Sequence, residues 1–191
     1  MLKKISKTLR FSGLVGGFGF LVTAIISSVV NKSWFEFYKH SFSSLGSPRA
    51  IHPMIYNVGM CFIGVMIILY AISLLIEANK KYNIIGATSL LFSGVFLIFI
   101  GIFHMGTRPH NFVSAWFFAQ IDISFAIFAV GWLVYKMREW IAMAILLAFE
   151  LFVAYAGVFP SVATVEAFGI FMIFMMYVVC LAVQVRYNEK L

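Results

Sequence analysis

The sequence predicts an all-α integral membrane protein, a bundle of six transmembrane helices forming one polytopic domain over residues 1–191. Three observations carry this. Hydrophobic residues make up 63% of the chain and charged residues 11%, with a mean hydropathy of +1.00. A soluble domain is about half apolar and about a quarter charged. Six apolar runs lie between polar breaks, each of roughly the 20 residues that span a hydrocarbon core of about 30 Å. None alternates polar and apolar residues as a barrel strand does, and only helices or closed barrels satisfy their backbone in lipid.

The first run, near residues 11–30, follows the basic start "MLKKISKTLR". That start resembles the n-region of a signal peptide. The apolar run is too long for an h-region and no A-x-A site follows it, so it reads as a retained helix. Its Gly13–Gly17 pair is a small-xxx-small pattern that permits close helix packing, within the chain or between chains.

The connection over 31–52 is the one long loop. In "NKSWFEFYKHSF", aromatics at i, i+3 and i+4 beside charges predict a short helix lying in the membrane interface. The "SSLGSPRAIHP" that follows reads as turns. Pro53 suits the first turn of the second helix, near 53–76. The short turn "EANKKYN" makes the third helix, near 84–104, its antiparallel neighbour. The polar stretch "GIFHMGTRPHNF" leads into the fourth, near 112–135. "YKMREW" joins that to the fifth, near 141–159, and the sixth lies near 165–185.

Orientation follows from the basic residues. Lys3, Lys4, Lys7, Arg10, Lys80, Lys81, Lys136, Arg138, Arg186 and Lys190 fall on one side, against Lys32, Lys39, Arg49 and Arg108 on the other. Both termini are therefore expected in the cytoplasm, with the protein multi-pass in the cell membrane and in contact with anionic lipid. No basic cluster belongs to a soluble domain, which excludes a nucleic-acid partner. Cys61 and Cys180 lie at different depths, so no disulfide is expected.

Polar residues concentrate on the outer side. Arg49 and His52 precede the second helix, His104 ends the third, and Arg108 and His110 lead into the fourth. Arginine forks and helix N-termini suit phosphate or carboxylate, and a lipid headgroup is the anion at hand. Asn57, one turn into the second helix, adds a hydrogen-bonding group. Glu166 opens the sixth helix, where the dipole favours a carboxylate; it is also placed to close the cluster. The same histidines, His52, His104 and His110, are the candidate zinc ligands, and two of them could hold haem. No HExxH motif is present and no cofactor is predicted. The plain alternative is a polar cap such as any loop between membrane helices carries. Ser43, Ser44 and Ser47 lie near His40 and His52 in sequence, a weak suggestion of a nucleophile.

Two carboxylates fall inside apolar runs. Asp122 and Glu150 both lie roughly 15 Å deep, near the midplane. A lone ionised group there costs at least ~2.5–3.5 kcal/mol, so both are expected to face inward. They read either as a proton or ion relay or as carboxyls bonded to a neighbouring helix.

The segments "FSSLGSPRAIHPMIYNVGMCFIGV", "GIFHMGTRPHNFVSAWFF" and "VEAFGIFMIFMMYVV" resemble an uncharacterised membrane family of archaea and bacteria, domain of unknown function 998. Ser44-Leu45-Gly46, Asn57, Gly101-Ile102-Phe103, His110 and Glu166 match its motifs. Ser44 stands where the family often has Asp, His104 where it has Pro and Ala167 where it has Arg. The resemblance implies six helices and brings no activity with it.

The first functional expectation is a polar pocket on the outer face, lined by Arg49, His52, Asn57, His104, Arg108, His110 and Glu166, that holds an anionic ligand or lipid headgroup. The second is a structural or accessory subunit of a larger membrane complex, or a homo-oligomer, with the Gly-rich first helix and the aromatic loop as contact surfaces. The third is a lipid-processing enzyme with His110 and Glu166 as acid and base. A transporter is disfavoured, because no broken or repeated segments suggest alternating access.

Overall fold

The computed structural model describes residues 2–188. Seven α-helices follow in order: α1 (Leu2–Leu9), α2 (Ser12–Val30), α3 (Pro53–Glu77), α4 (Lys81–Ile102), α5 (His110–Val134), α6 (Trp140–Ala156) and α7 (Val162–Asn188). A single turn of 3-10 helix, Phe42–Gly46, interrupts the long loop. Among the described residues there is no strand.

Five segments are long and apolar enough to cross a membrane: Leu2–Val30, which joins α1 and α2, then Pro53–Glu77, Lys81–Ile102, His110–Val134 and Val162–Arg186. α6 is equally apolar but has 17 residues, a rise of about 26 Å. It stops earlier than its apolar run because Gly157 takes a left-handed backbone at φ 63°, a common helix C-cap, and Pro160 follows. Lys190, one of the basic residues that set the expected orientation, lies outside the described residues.

The first loop corrects one expectation. Residues 31–40 form two hydrogen-bonded turns and no helix. Trp34 and Phe35 donate their amides to Asn31 O, and Lys39 and His40 donate theirs to Glu36 O. The aromatics pack on one another instead of lining one helical face: Trp34 and Phe35 meet edge to face, and Phe35 stacks on His40 and on Phe42. The short helix lies further on, in the stretch that reads as turns. Ser41 caps it by accepting the Ser44 amide at 3.3 Å. Glu36 is exposed, and the Lys39 ammonium 2.6 Å away holds its carboxyl below the usual range.

Sequence neighbours pack as spatial neighbours, α2 on α3, α3 on α4, α4 on α5, α5 on α6 and α6 on α7. α7 meets α2 mainly through side chains. Tyr177 fills the notch at Gly13 and Phe174 the notch at Gly17, so the small-xxx-small pair receives aromatics of the same chain. A mutual backbone approach lies elsewhere. A Cβ built on Gly64 of α3 would stand 2.7 Å from Gly94 O, and one on Gly94 of α4 would stand 2.8 Å from Gly64 O.

One end of the bundle carries the N-terminus and the short turns. There the Ser6 hydroxyl donates to Ser73 O and to the Glu77 carboxylate, and Arg186 pairs with Glu139. The other, the loop end, gathers the 31–52 connection with the starts of α5 and α7. Ala163 donates its amide to His40 O at 2.9 Å, and the Ser161 hydroxyl donates to Phe37 O at 2.7 Å. Bulky apolar side chains such as Phe18, Ile25 and Phe152 point outward at 61–69% exposure, the surface expected where lipid is the solvent. Cys61 and Cys180 are both free.

Candidate functional site

A cavity of about 120 Å³ runs through the middle of the bundle, with walls from α2, α3, α4, α5 and α7. The middle is apolar, with Met60, Ile63, Leu97, Phe117 and Ile121 among its lining residues. At the loop end the lining includes Glu166, Tyr56 and Ser43; at the far end it includes Tyr70 and Tyr177. From Glu166 to Tyr177 is eleven residues of α7, roughly 16 Å at a helical rise. Between α2 and α7 aromatic side chains bridge the gap, Tyr177 against Gly13 and Phe174 against Gly17.

The polar groups of this cavity are few. Glu166, on the first turns of α7, accepts the Phe42 amide at 2.6 Å through Oε2. Tyr177 donates its hydroxyl to Arg10 O at 2.8 Å, which ties α7 to the junction of α1 and α2. Tyr70 is 2% exposed, and its hydroxyl meets no protein partner.

The other residues that the sequence singles out at this end have structural attachments. Asn57 is buried, and its Nδ2 donates to Gly46 O at 3.0 Å. A methyl group on Gly46 would stand 2.1 Å from Asn57 Oδ1. The Leu45-Gly46 and Asn57 motif residues thus form a clasp between the 3-10 turn and α3, with Leu45 fully buried behind it. His110 is 6% exposed, and its ring Nδ1 lies 2.9 Å from Phe103 O. A carbonyl only accepts, so Nδ1 carries the proton. The ring thereby satisfies one of the carbonyls that the C-terminus of α4 leaves open.

His104 makes the same kind of bond to Met105 O at 2.9 Å. The Arg49 guanidinium lies over the Trp34 ring, 4.7 Å from its centre. Arg49, His52 and Arg108 are exposed. None of Arg49, His52, Asn57, His104, Arg108 and His110 lines the cavity; of the expected pocket residues, Glu166 does. Among the described residues no three His, Cys, Asp or Glu side chains are grouped so as to hold a metal ion, and the candidate zinc set of His52, His104 and His110 is not brought together.

This geometry predicts that His110→Ala costs about 1–3 kcal/mol, the usual penalty for leaving a buried carbonyl without its donor. Thermal unfolding in detergent measures it. An unchanged melting curve would mean that the ring does not carry the α4–α5 turn.

Asp122 and Glu150 do face protein. α6 buries only Met143 and Glu150, seven residues apart on one face. Glu150 is 8% exposed. Asp122 Oδ1 and Glu150 Oε2 have no hydrogen-bond partner. Nearby polar groups are already engaged: the Ser89 hydroxyl donates to Gln120 Oε1, and the Ser124 hydroxyl donates to Gly86 O. The two carboxylates do not line the central cavity.

The sequence reading missed Tyr56, Tyr70 and Tyr177 as polar points of an internal space. A tyrosine in an apolar run looks like ordinary filling, and the signal available was its hydroxyl, which needs a partner when buried.

A family model described as "Protein of unknown function (DUF998)" matches residues 14–184. No curated protein and no solved structure matches the chain.

Proposed function

The chain belongs to the DUF998 family of unknown function, and from that membership and the internal cavity we propose a membrane-embedded protein that binds a single elongated apolar chain inside its bundle. In this reading α6 is the shortest of six crossings, and the distribution of basic residues favours both termini in the cytoplasm. The loop end then faces outward from the cell membrane. The observation that carries the reading is the cavity: long, narrow, apolar in its middle and polar at its loop end. An apolar space of this shape inside a membrane protein suits one acyl or prenyl chain drawn from the bilayer. Arg49 and Arg108, on which an anionic ligand would depend, stay outside it and are placed for lipid phosphate at the membrane surface.

Two other readings fare differently. An enzyme using His110 and Glu166 lacks shared space, because the cavity brings no histidine to Glu166. An accessory subunit is favoured by α6, whose outer side leaves Phe149, Phe152 and Tyr155 exposed. The Gly-rich face of α2 does not serve that reading, since α7 fills it.

Native mass spectrometry of gently extracted protein tests the proposal. The wild type is expected to carry one single-chain lipid mass. Ile67→Trp, which pushes an indole into the cavity from α3, is expected to lose it while melting normally. Wild-type protein that emerges bare, or with another chain at fixed stoichiometry, would sink the cavity reading and favour the accessory subunit.

A further inference from the structure

The chemistry of the ligand's head can be read from the loop end of the cavity. Glu166 is the one charged side chain among the described residues that line it; no described Lys, Arg or His joins it. A carboxylate offers about four lone-pair sites on two oxygens. The Phe42 amide takes one on Oε2 at 2.6 Å. The Ser43 amide and hydroxyl also lie close to the carboxylate. That hydroxyl already donates to Ser41 Oγ at 3.0 Å. Glu166 lines the cavity, and no described cation lines it beside Glu166. Tyr56, 5% exposed, stands beside it on the same lining and within reach of its charge. A phosphate or carboxylate head would find no cation among the described lining residues, and the Phe42 amide is already taken by Glu166. A head that donates hydrogen bonds, or carries a positive charge, completes the site.

The far end of the cavity is formed by Tyr70 and Tyr177. Tyr70 lines the cavity, is more than nine-tenths buried, and has a hydroxyl with no protein partner.

We propose that the cavity takes a single-chain amphiphile whose head donates hydrogen bonds and carries no negative charge, a long-chain alcohol or amine, with the head on Glu166 and the chain running toward Tyr70. This rests on the reading of the cavity as a chain-binding site.

The test uses the purified full chain, stripped of lipid in detergent, and three probes with one hydrocarbon chain and different heads: oleyl alcohol, oleylamine and oleate. Binding is read by native mass spectrometry and by the rise in melting temperature. The wild type is expected to bind the alcohol and the amine at least about tenfold more tightly than oleate. Glu166→Gln keeps an oxygen for the Phe42 amide. It is expected to weaken the amine by about tenfold and to leave oleate unchanged or improved. Equal binding of all three probes by the wild type would overturn the head-group assignment and leave the cavity reading standing. Binding of none would overturn the cavity reading itself. The wild-type comparison needs no variant, so it decides the matter even if Glu166→Gln fails to fold.

Discussion

Replacing Gly94 by isoleucine is expected to abolish the folded protein. Gly64 and Gly94 face each other where α3 and α4 cross, and each Cβ position lies under 3 Å from the other's carbonyl oxygen. A second obstacle to a side chain at Gly94 is Ile68 N at 3.1 Å, again backbone. Backbone cannot rotate away as a side-chain tip can, so any side chain here must push the helices apart. In lipid, close van der Waals packing is a main source of helix association, since lipid tails compete for every apolar surface. Alanine is expected to cost about 1–3 kcal/mol, as inserted methyl groups in tight cores do. Isoleucine adds three more heavy atoms to a protein whose total stability is on the order of 5–15 kcal/mol. Gly169→Ala is the control. Its Cβ would meet Phe118 at an ordinary 3.4 Å, and a change within about 0.5 kcal/mol is expected. Size-exclusion profiles and melting curves in detergent measure all three. A Gly94→Ile protein that elutes and melts like wild type would refute the crossing.

Glu150→Leu is expected to do the opposite and raise stability. The two buried residues of α6 are Met143 and Glu150, with Trp140, Leu146 and Leu147 packed partly buried against the core, and Glu150 brings an oxygen without a partner into the seam. Asp122 adds another unpartnered oxygen. Leucine removes that polar group and keeps the packing, which is worth about 1–3 kcal/mol. At this chain length each kcal/mol moves the melting temperature by about 2–4 °C. Glu150→Gln keeps the hydrogen-bonding demand and is expected to fall between wild type and Leu. If leucine instead destabilises the protein, the two carboxyls are satisfied by each other or by a shared proton, and the α5–α6 seam is a working polar site.

The attachments at the loop end also give the family motif a physical meaning. Leu45, Gly46 and Asn57 form one clasp, His110 closes the α4–α5 turn, and Gly101 lets α4 approach the Asn57 backbone, since a Cβ there would stand 2.4 Å from Asn57 O. These positions hold the roof of the cavity in place. Of the matched residues, Glu166 alone also looks into it.

What could be read from the amino-acid order was everything that depends on length and hydropathy along one dimension. The five long apolar helices, the shorter apolar α6, the short turns between neighbouring helices and the start of α3 at Pro53 all follow from how much apolar chain fits between polar breaks. The short helix expected around Trp34 failed because ten residues of mixed aromatics and charges do not carry enough periodicity to outweigh turn hydrogen bonds. The polar cluster was legible only as a set of residues at one level. Depth says nothing about direction around a helix, which turns about 100° per residue. That direction decided that Asn57 and His110 are fasteners, that Arg49 lies on Trp34, and that Glu166 faces the interior. The meeting of Gly64 with Gly94, and the gap between α2 and α7 that becomes a cavity, belong to pairs of helices. Neither exists until the helices are packed, and so only the tertiary structure decided them.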